Sequence, residues 1–459
     1  MDDYTLSDAI EAVGGRMAGA CTTMKIDNVT IDSRKVGPGT LFVALKGPNF
    51  DGHDYIGQAL KAGAVGVLSC RDENVNEYAD QTVISVGDTY EALGQLAGNY
   101  RWRFDIPVLA VTGSCGKTTT KDLIAAVIGA KYQVTATEGN FNNHIGLPLT
   151  LFRIDSDTEF AVVEMGMNAL GEIEALCEIA RPTMGLITNV GTAHAGPVGG
   201  AGNVVRAKGE LLDSMGSEGI ALLNADDTAT PGYISGFRGK AVTFGRGRDA
   251  DYRMIAEEWL GPNNASVVVD GIGEFCVTAF GDTGKLNALA AIAVGSFVGL
   301  DGEEIQRGLD AYVSSEMRGA ILDLRGIKII NDAYNANPVS AASAIDALSK
   351  MKVSGKRVAA LGDMLELGDA APVEHEGAGR CCASADLSAV YAIGEYAGDL
   401  VRGAVEVGMA PGNCKEFDNH EAMAVALSRF LSPGDALLVK GSRGMKMEEV
   451  ITKLNALLE

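Results

Sequence analysis

The stretch VLAVTGSCGKTT, residues 108–119, decides how the centre of this 459-residue chain folds. Four apolar residues predict a buried strand, two glycines predict a tight turn, and the residues that follow predict a helix. In that context the N–H groups of the turn and the helix N-terminus can bind phosphate oxygens. The stretch therefore predicts a nucleotide-binding phosphate loop made of Gly113, Ser114, Cys115, Gly116, Lys117, Thr118 and Thr119.

Two side chains of this loop have the chemistry that a nucleoside triphosphate requires. Lys117 can reach the β- and γ-phosphates, and the Thr118 hydroxyl can contact Mg²⁺. Val111 stands where the general G-x-x-x-x-G-K-[ST] pattern has its first glycine, so a glycine-rich turn with a surface lysine is the alternative. A helix N-terminus lowers the pKa of a thiol, so alkylation of Cys115 would block ATP binding; an inert small residue at this position is the alternative.

Composition limits the partners of the chain. Apolar residues make up 47% and charged residues 21%, which is typical of globular domains. The net charge of -22 repels phosphate backbones, so we expect no nucleic-acid binding. Neither a membrane span nor a signal peptide is expected from the hydropathy pattern. The eight cysteines are scattered without a C-x-x-C pair, which favours a reduced, cytoplasmic protein.

The order of strand and helix patterns predicts an α/β protein of three domains. Residues 1–103 mix short β-rich runs with an alanine-rich helix, and Pro107 breaks the pattern before the next block. Residues 104–315 and 316–459 each alternate apolar strands with helices. Such alternation predicts parallel sheets covered by helices on both faces. We expect a central phosphate-loop domain and a Rossmann-like C-terminal domain.

Further polar groups follow the central strands. Glu164 ends the apolar run FAVVE at 160–164, where carboxyl ends of strands in open α/β sheets bind ligands. Its carboxylate suits Mg²⁺, although a solvated strand-end glutamate is the alternative. The amide-rich loop at 138–148 can bind polar oxygens or merely cap a helix. Its candidate side chains are Asn140, Asn142 and Asn143.

The loop G-x-x-G-K-T after a strand resembles that of the Mur ligases, and the resemblance extends over nearly the whole chain. It implies ATP-dependent amide formation through an acyl phosphate, with two Mg²⁺ ions. It also implies that His194 helps bind the second Mg²⁺ and that Lys208, carbamylated by CO₂, becomes an anionic metal ligand. The catalytic set implied by the resemblance is Lys117, Glu164, His194 and Lys208.

The C-terminal block is similar to one branch of this family. Its matching segments are NDAYNANP at 331–338, LGDMLELG at 361–368 followed by His375, and KGSRG at 440–444. This similarity implies that UDP-N-acetylmuramoyl-tripeptide is the acceptor and D-alanyl-D-alanine the donor, with a monomer as the working unit. The ATP contacts it implies beyond the phosphate loop are Asn287, Arg318, Asp332, Asn335 and Asn337. Lys440, Ser442 and Arg443 are the candidates for the peptide or dipeptide end.

The N-terminal block resembles the uridine-nucleotide-binding domain of the same family. Its segment DSR at 32–34 makes Ser33 and Arg34 plausible contacts to uracil or diphosphate, and a turn with a surface arginine is the alternative. One departure concerns the end of the central block. Thr283 and Gly284 stand where the family usually has His-Asn, while Asn287 is retained. We expect this to weaken ATP binding or alter the base preference.

Three alternatives remain open on the sequence alone. A related ligase of another branch, or a folylpolyglutamate synthase, would share the phosphate loop but not the NDAYNANP segment. A non-catalytic relative that only binds the UDP-precursor would explain the altered Thr283 and Gly284. Retention of Lys117, Thr118 and Glu164 argues against that last interpretation, because a binding module needs no metal chemistry.

Overall fold

The computed structural model describes residues 1–18, 23–78, 81–191, 195–261 and 263–459. Within these residues the chain forms three sheets of five, nine and six strands, each packed against helices. The expected α/β class with three domains is confirmed. None of the described helices combines the length and apolar character that crossing a bilayer requires.

The N-terminal sheet has the strand order β1-β5-β4-β3-β2, in which β2 to β5 are parallel and β1 is antiparallel. Its strands are β1 Arg16–Ala18, β2 Asn28–Thr30, β3 Thr40–Val43, β4 Gly66–Ser69 and β5 Val83–Ser85. Its helices are α1 Leu6–Val13, α2 Ile56–Lys61, α3 Asp72–Glu77 and α4 Thr89–Arg101, with 3₁₀ turns at Ser33–Lys35 and Gly52–Tyr55.

The central sheet has the order β14-β13-β12-β11-β10-β9-β6-β8-β7. Its strands are β6 Val108–Thr112, β7 Val134–Ala136, β8 Phe160–Glu164, β9 Met184–Ile187, β10 Ile220–Asn224, β11 Lys240–Gly245, β12 Tyr252–Gly261, β13 Asn264–Val269 and β14 Gly273–Thr278. Its helices are α5 Lys117–Ile128, α6 Gly146–Leu151, α7 Glu172–Ala180, α8 Ala195–Val198, α9 Ala201–Asp213, α10 Thr230–Gly236, α11 Gly281–Phe297 and α12 Gly302–Ala311.

The C-terminal sheet has the order β15-β16-β20-β17-β18-β19. Its strands are β15 Ala320–Leu324, β16 Ile327–Asp332, β17 Arg357–Gly362, β18 Ala389–Ile393, β19 Cys414–Phe417 and β20 Ala436–Lys440. Its helices are α13 Pro338–Lys350, α14 Ala371–Ser384, α15 Ala397–Glu406, α16 His420–Phe430 and α17 Glu448–Leu458. Three 3₁₀ turns lie at Gly368–Ala370, Pro411–Asn413 and Arg443–Met445.

The central sheet departs from the expected wholly parallel arrangement at one edge. Strands β12, β13 and β14 form antiparallel hairpins beyond the parallel strands. The sequence analysis missed them because β12 is largely exposed and carries Glu257 and Glu258, so it lacks the apolar run that marks a buried parallel strand. By contrast, all five residues of β6 and all five of β8 are buried.

The order of the central strands positions the site. Strand β6 lies between β8 and β9 in the sheet. The strands that follow β6 along the chain are therefore added first on one side of it and then on the other. Such a reversal opens a crevice at the carboxyl ends of the strands. Val111 of β6 pairs with Glu164 of β8, and Thr112 pairs with Ile187 of β9, so these ends lie side by side.

Candidate active site

The phosphate loop has the strand–turn–helix form predicted from its sequence. Gly113 has φ of 148° and Gly116 has φ of 81°, which glycine adopts without strain. A Cβ on Gly113 would also lie 1.9 Å from Thr188 Oγ1. Lys117 Nζ donates to the Gly113 carbonyl oxygen at 2.8 Å, and burial lowers the pKa of its ammonium group. The lysine is thus held over the loop where a phosphate would lie.

The end of the neighbouring strand fixes this loop. Asn189 Oδ1 accepts the Cys115 N–H at 2.9 Å, and Asn189 Nδ2 donates to the Cys115 carbonyl oxygen at the same distance. The Thr188 hydroxyl donates to that carbonyl at 2.6 Å. Sequence reasoning did not assign Asn189 a role, although its position just after β9 was the available signal. Two side chains therefore hold the shape of the loop from outside it.

The thiol in the loop does not behave as its position suggested. Burial raises the pKa of Cys115, and the charges of Lys440 and Lys117 oppose this only in part. The expected activation by the helix N-terminus is therefore wrong in direction, because the cost of a buried thiolate exceeds the gain from the helix N-terminus.

Glu164 lies beside the phosphate loop and is 1% exposed. Asn142 Nδ2 donates to its Oε1 at 2.7 Å, while its Oε2 is buried and has no hydrogen-bond partner in the described part of the chain. Asn143 Oδ1 accepts from the N–H groups of Ile145 and Gly146, just before and at the first residue of α6. The amide-rich loop thus contacts Glu164 and also bonds the backbone at the start of α6.

Lys208 on α9 is 1% exposed. Burial, followed by the charge of Lys117, lowers its pKa well below the ordinary lysine value. Its Nζ has no anionic partner within the described residues. His194, the other group expected near it, lies outside the described residues.

The C-terminal domain reaches the phosphate loop through two side chains. Arg318 Nη2 donates to Thr118 Oγ1 at 3.1 Å, and its guanidinium lies 3.8 Å from the centre of the Tyr334 ring. Asn337 Nδ2 donates to the Ser114 carbonyl oxygen at 3.4 Å and its Oδ1 caps α13. The two domains are therefore in contact at the predicted ATP site.

The remaining predicted residues of this domain are largely paired with each other. Lys440 Nζ contacts Asp332 Oδ2 at 2.6 Å and donates to the Asn335 carbonyl oxygen at 2.9 Å. Ser442 Oγ accepts the Leu365 N–H at 2.8 Å. Arg443 is more exposed and pairs with Glu448 at 2.6 Å. Lys440 and Ser442, expected at the substrate end, hold neighbouring loops together in this structure.

A cavity of about 530 Å³ lies between the two domains. Every predicted ATP-site residue except Gly113 lines it, as do the three amides of the 138–148 loop, Glu164, and the predicted substrate residues of the C-terminal domain. Lys208 is not among the lining residues. The cavity therefore brings together most of the residues that the sequence analysis had assigned to one site.

Ser33 and Arg34 do not line this cavity. Arg34 forms two 2.8 Å contacts with the Asp32 carboxylate, and its side chain is 84% exposed. Hydrogen bonds from Arg34 lower the pKa of Asp32 to about 2. The local geometry is a capped turn with an exposed arginine side chain.

The altered pair Thr283 and Gly284 lies at the far end of the cavity. The Thr283 and Ser343 hydroxyl oxygens are 3.0 Å apart and link α11 to α13 of the C-terminal domain. A Cβ on Gly284 would lie 3.1 Å from Ala279 Cα, so a larger residue would need the chain to move. Thr283 and Ser343 therefore give this part of the cavity lining two hydroxyl groups.

Comparison with known families gives three adjoining matches. The model of the Mur ligase family catalytic domain matches residues 25–101, that of the Mur ligase middle domain residues 111–295, and that of the Mur ligase glutamate ligase domain residues 317–443.

Whole-chain relatives agree with these matches. The UDP-N-acetylmuramoyl-tripeptide–D-alanyl-D-alanine ligase of Bacillus subtilis is 36% identical, with 98% of each chain covered. The protein of that name from Escherichia coli is 32% identical over 99% of each chain. A crystal structure of MurF from Acinetobacter baumannii superposes with a TM-score of 0.89 at 29% identity, covering 99% of each chain. MurF of Thermotoga maritima, solved with ADP, superposes with a TM-score of 0.82 at 27% identity, covering 95% of this chain and 98% of that one. The chain belongs to the Mur ligase family of ATP-dependent, ADP-forming ligases.

Proposed function

We propose that this protein joins D-alanyl-D-alanine to UDP-N-acetylmuramoyl-tripeptide at the expense of ATP, forming a pentapeptide precursor of peptidoglycan. The observation that carries the proposal is one interdomain cavity lined by Lys117, Glu164 and Arg318. The relatives named for this reaction match at both ends of the chain. Folylpolyglutamate synthase of Mycobacterium tuberculosis, at 14% identity, shares the fold alone.

The chemistry is a transfer in two steps. An oxygen of the acceptor carboxylate attacks the γ-phosphorus and the bond to ADP breaks, which leaves an acyl phosphate. The donor nitrogen then attacks the acyl carbon, loses a proton, and phosphate leaves. Lys117 balances charge on the phosphoryl group, and Asn142 holds Glu164 in place. Positioning and charge stabilisation suffice for such transfers without a protein nucleophile.

The residues present fit Mg²⁺. Glu164 Oε2 is buried without a hydrogen-bond partner in the described chain, which is costly unless a cation or donor takes it up. Carboxylate and hydroxyl oxygens are the ligands that Mg²⁺ prefers, so Glu164 and Thr118 would hold one ion. Bound Mg²⁺ neutralises charge on the phosphates during transfer. His194, outside the described residues, is the remaining expected ligand of a second ion.

Lys208 has the properties that carbamylation requires. Only a neutral amine attacks CO₂, and burial favours the neutral form of this lysine. The reaction forms a bond between Nζ and the CO₂ carbon while Nζ loses a proton. A carbamate on Lys208 would add anionic oxygens, which Mg²⁺ prefers as ligands. We include this group in the proposal.

The remaining parts of the proposal concern the substrate contacts, the oligomeric state and the cellular location. Ser33 and Arg34 would contact the uridine nucleotide from the N-terminal domain, while Arg443 would face the peptide. We propose a monomer as the working unit, as the resemblance to the family implies. We also propose a cytoplasmic location, which the scattered cysteines favour.

Phosphate release tests the reaction directly. Purified protein receives ATP, Mg²⁺, UDP-N-acetylmuramoyl-tripeptide and D-alanyl-D-alanine, and each component is then omitted in turn. We expect release only from the complete mixture, together with the pentapeptide product by mass spectrometry. Binding of the UDP-precursor without turnover would contradict the proposal and favour the non-catalytic relative.

Lys208→Ala tests the carbamate. We expect activity to fall by about 10²-fold, because an anionic ligand is lost, and to be partly restored by propionate, whose carboxylate can occupy the vacated space. Lys121→Ala is the matched control, since Lys121 is a buried lysine outside the cavity lining. Intact wild-type protein should carry the mass of CO₂ at Lys208 when bicarbonate is present. Full activity of Lys208→Ala would contradict this role.

A further inference from the structure

The loop at 363–368, which follows β17, brings a further carboxylate to the interdomain cavity. Leu365 and Glu366 of this loop are exposed and line the cavity. Burial lowers the pKa of Lys117, and the charge of Glu366 is among those that oppose this shift. The carboxylate of Glu366 therefore lies toward the phosphate loop, where the acyl phosphate forms in the proposed function.

Hydrogen bonds from two other parts of the C-terminal domain hold the start of this loop. The Met364 N–H donates to Nε2 of buried His375 at 2.8 Å. The Leu365 N–H donates to Ser442 Oγ at the same distance. His375, which the sequence analysis noted without a role, thus fixes the backbone two residues before Glu366.

Glu366 has a backbone conformation that is unfavourable for glutamate. Its φ of 66° lies in the left-handed region, which glycine adopts without strain. The loop also meets the central domain here, since a Cβ on Gly196 would lie 2.9 Å from the Glu366 carbonyl oxygen. Residues held in such conformations concentrate at functional sites, where the surrounding structure fixes them. The carboxylate is therefore present at a conformational cost.

The charge of Glu366 is opposite to that of one reacting group. The cavity lining has two carboxylates from the C-terminal domain, Asp332 and Glu366. Asp332 pairs with Lys440 at 2.6 Å. In the proposed function ATP and the nucleotide-linked acceptor bring anionic phosphates, whereas the amino group of the donor dipeptide is mainly an ammonium ion at neutral pH. Charge-assisted hydrogen bonds between carboxylate and ammonium are strong.

We propose that Glu366 binds the ammonium group of the donor dipeptide and so orients its nitrogen toward the acyl phosphate. This inference deepens the proposed function and rests on it. The sequence analysis assigned Lys440, Ser442 and Arg443 to the peptide or dipeptide end, and none of these carries a negative charge. Glu366 supplies the anion that recognition of an amine requires.

Equilibrium binding of two donors tests the proposal without turnover. The protein is saturated with Mg²⁺, the β,γ-imido analogue of ATP and UDP-N-acetylmuramoyl-tripeptide. It then receives D-alanyl-D-alanine or D-lactyl-D-alanine, in which a hydroxyl replaces the ammonium group. Wild type should bind the dipeptide at least about tenfold more tightly, because a hydrogen bond between charged groups is lost with the hydroxyl. Equal affinities for the two ligands would overturn the proposal.

Variants at the same position separate recognition from structural support. Glu366→Gln keeps the shape of the side chain and should bring the affinity ratio toward one, chiefly by weakening the dipeptide. Glu366→Gly should lower the ratio as well, and thermal unfolding should be unchanged or shifted upward because glycine relieves the strain. Asp386→Asn is the matched control, since Asp386 is an exposed carboxylate with φ of 53° outside the cavity lining. It should leave the ratio unchanged.

The remaining outcomes distinguish this inference from the proposed function. Equal weakening of both donors by Glu366→Gln would show a structural role only and overturn the inference. Weaker binding of UDP-N-acetylmuramoyl-tripeptide, with dipeptide binding unchanged, would place the carboxylate at the acceptor and overturn it too. Failure of wild type to bind either donor would overturn the donor assignment of the proposed function, and this inference with it.

Discussion

The central and C-terminal sides of the cavity differ in whether their buried charged groups have partners within the protein. On the central side, Lys208 has no anionic partner and Glu164 Oε2 has no hydrogen-bond partner within the described residues. On the C-terminal side, Lys440 pairs with Asp332 at 2.6 Å, and both line the cavity. Unpaired buried groups cost stability, whereas a paired buried charge is destabilising mainly when its partner is removed. The central side is thus arranged for ligands and the C-terminal side for rigidity.

Substitution on the central side should affect chemistry and spare stability. Lys117→Met removes the charge beside the phosphates, so we expect ligase activity to fall by about 10²–10³-fold. The melting temperature should not fall, because burial already lowers the pKa of Lys117. Phosphate release and thermal unfolding measure the two effects.

Lys121→Met is the control for that experiment. Lys121 is buried on the same helix, donates to the Thr137 carbonyl oxygen at 2.6 Å and pairs with Asp122, outside the cavity lining. It should lose stability and retain most activity. If Lys117→Met were instead the less stable variant, the comparison between the two sides would fail.

Substitution on the C-terminal side should have the reverse effect. Lys440→Met leaves Asp332 buried without its cation, which should cost about 3–5 kcal/mol. Asp332→Asn combined with Lys440→Met should recover most of that loss. Because a three-domain chain need not unfold in one step, hydrogen exchange of the β16 and β20 amides during urea unfolding is the measurement.

An exposed pair in the same sheet provides the control for this second test. Lys328 and Asp323 are also 2.6 Å apart, but about half of each side chain is exposed. Lys328→Met should cost less than about 1 kcal/mol, since water replaces most of the interaction. Equal losses for Lys440→Met and Lys328→Met would mean that burial does not distinguish the two pairs.

Sequence reasoning succeeded for segments whose structure is determined by residues that are consecutive in the chain. Strand, glycine turn and lysine are consecutive at 108–119, so the phosphate loop follows from its own residues. The Asp332–Lys440 pair could not be foreseen, because it depends on β16 and β20 lying side by side although 108 residues separate the two side chains. Asn263 also lines the cavity, and it lies between β12 and β13, which the sequence analysis missed.

Two cysteines provide the smallest contrast, between the exposed thiol of Cys70 and the partly buried thiol of Cys115. Cys70 is exposed, and its Sγ lies 3.3 Å from Nε2 of buried His53, whose Nδ1 contacts Asp51 at 2.7 Å. A neighbouring imidazole can accept the thiol proton, while burial raises the pKa of Cys115. Iodoacetamide should therefore modify Cys70 about tenfold faster than Cys115, as peptide mapping by mass spectrometry would show.

Cys276 is a second comparison for Cys70. It is also exposed, but among the described residues it makes no contact with a histidine side chain. Its alkylation rate therefore shows the effect of exposure without that of histidine. His53→Gln should slow alkylation of Cys70 toward the rate at Cys276. ATP should protect Cys115 and leave Cys70 unprotected, because Cys115 lines the nucleotide cavity and Cys70 does not. Faster alkylation of Cys115 than of Cys70 would show that the helix N-terminus outweighs burial after all. The phosphate loop would then favour a bound anion more strongly than its buried surroundings indicate.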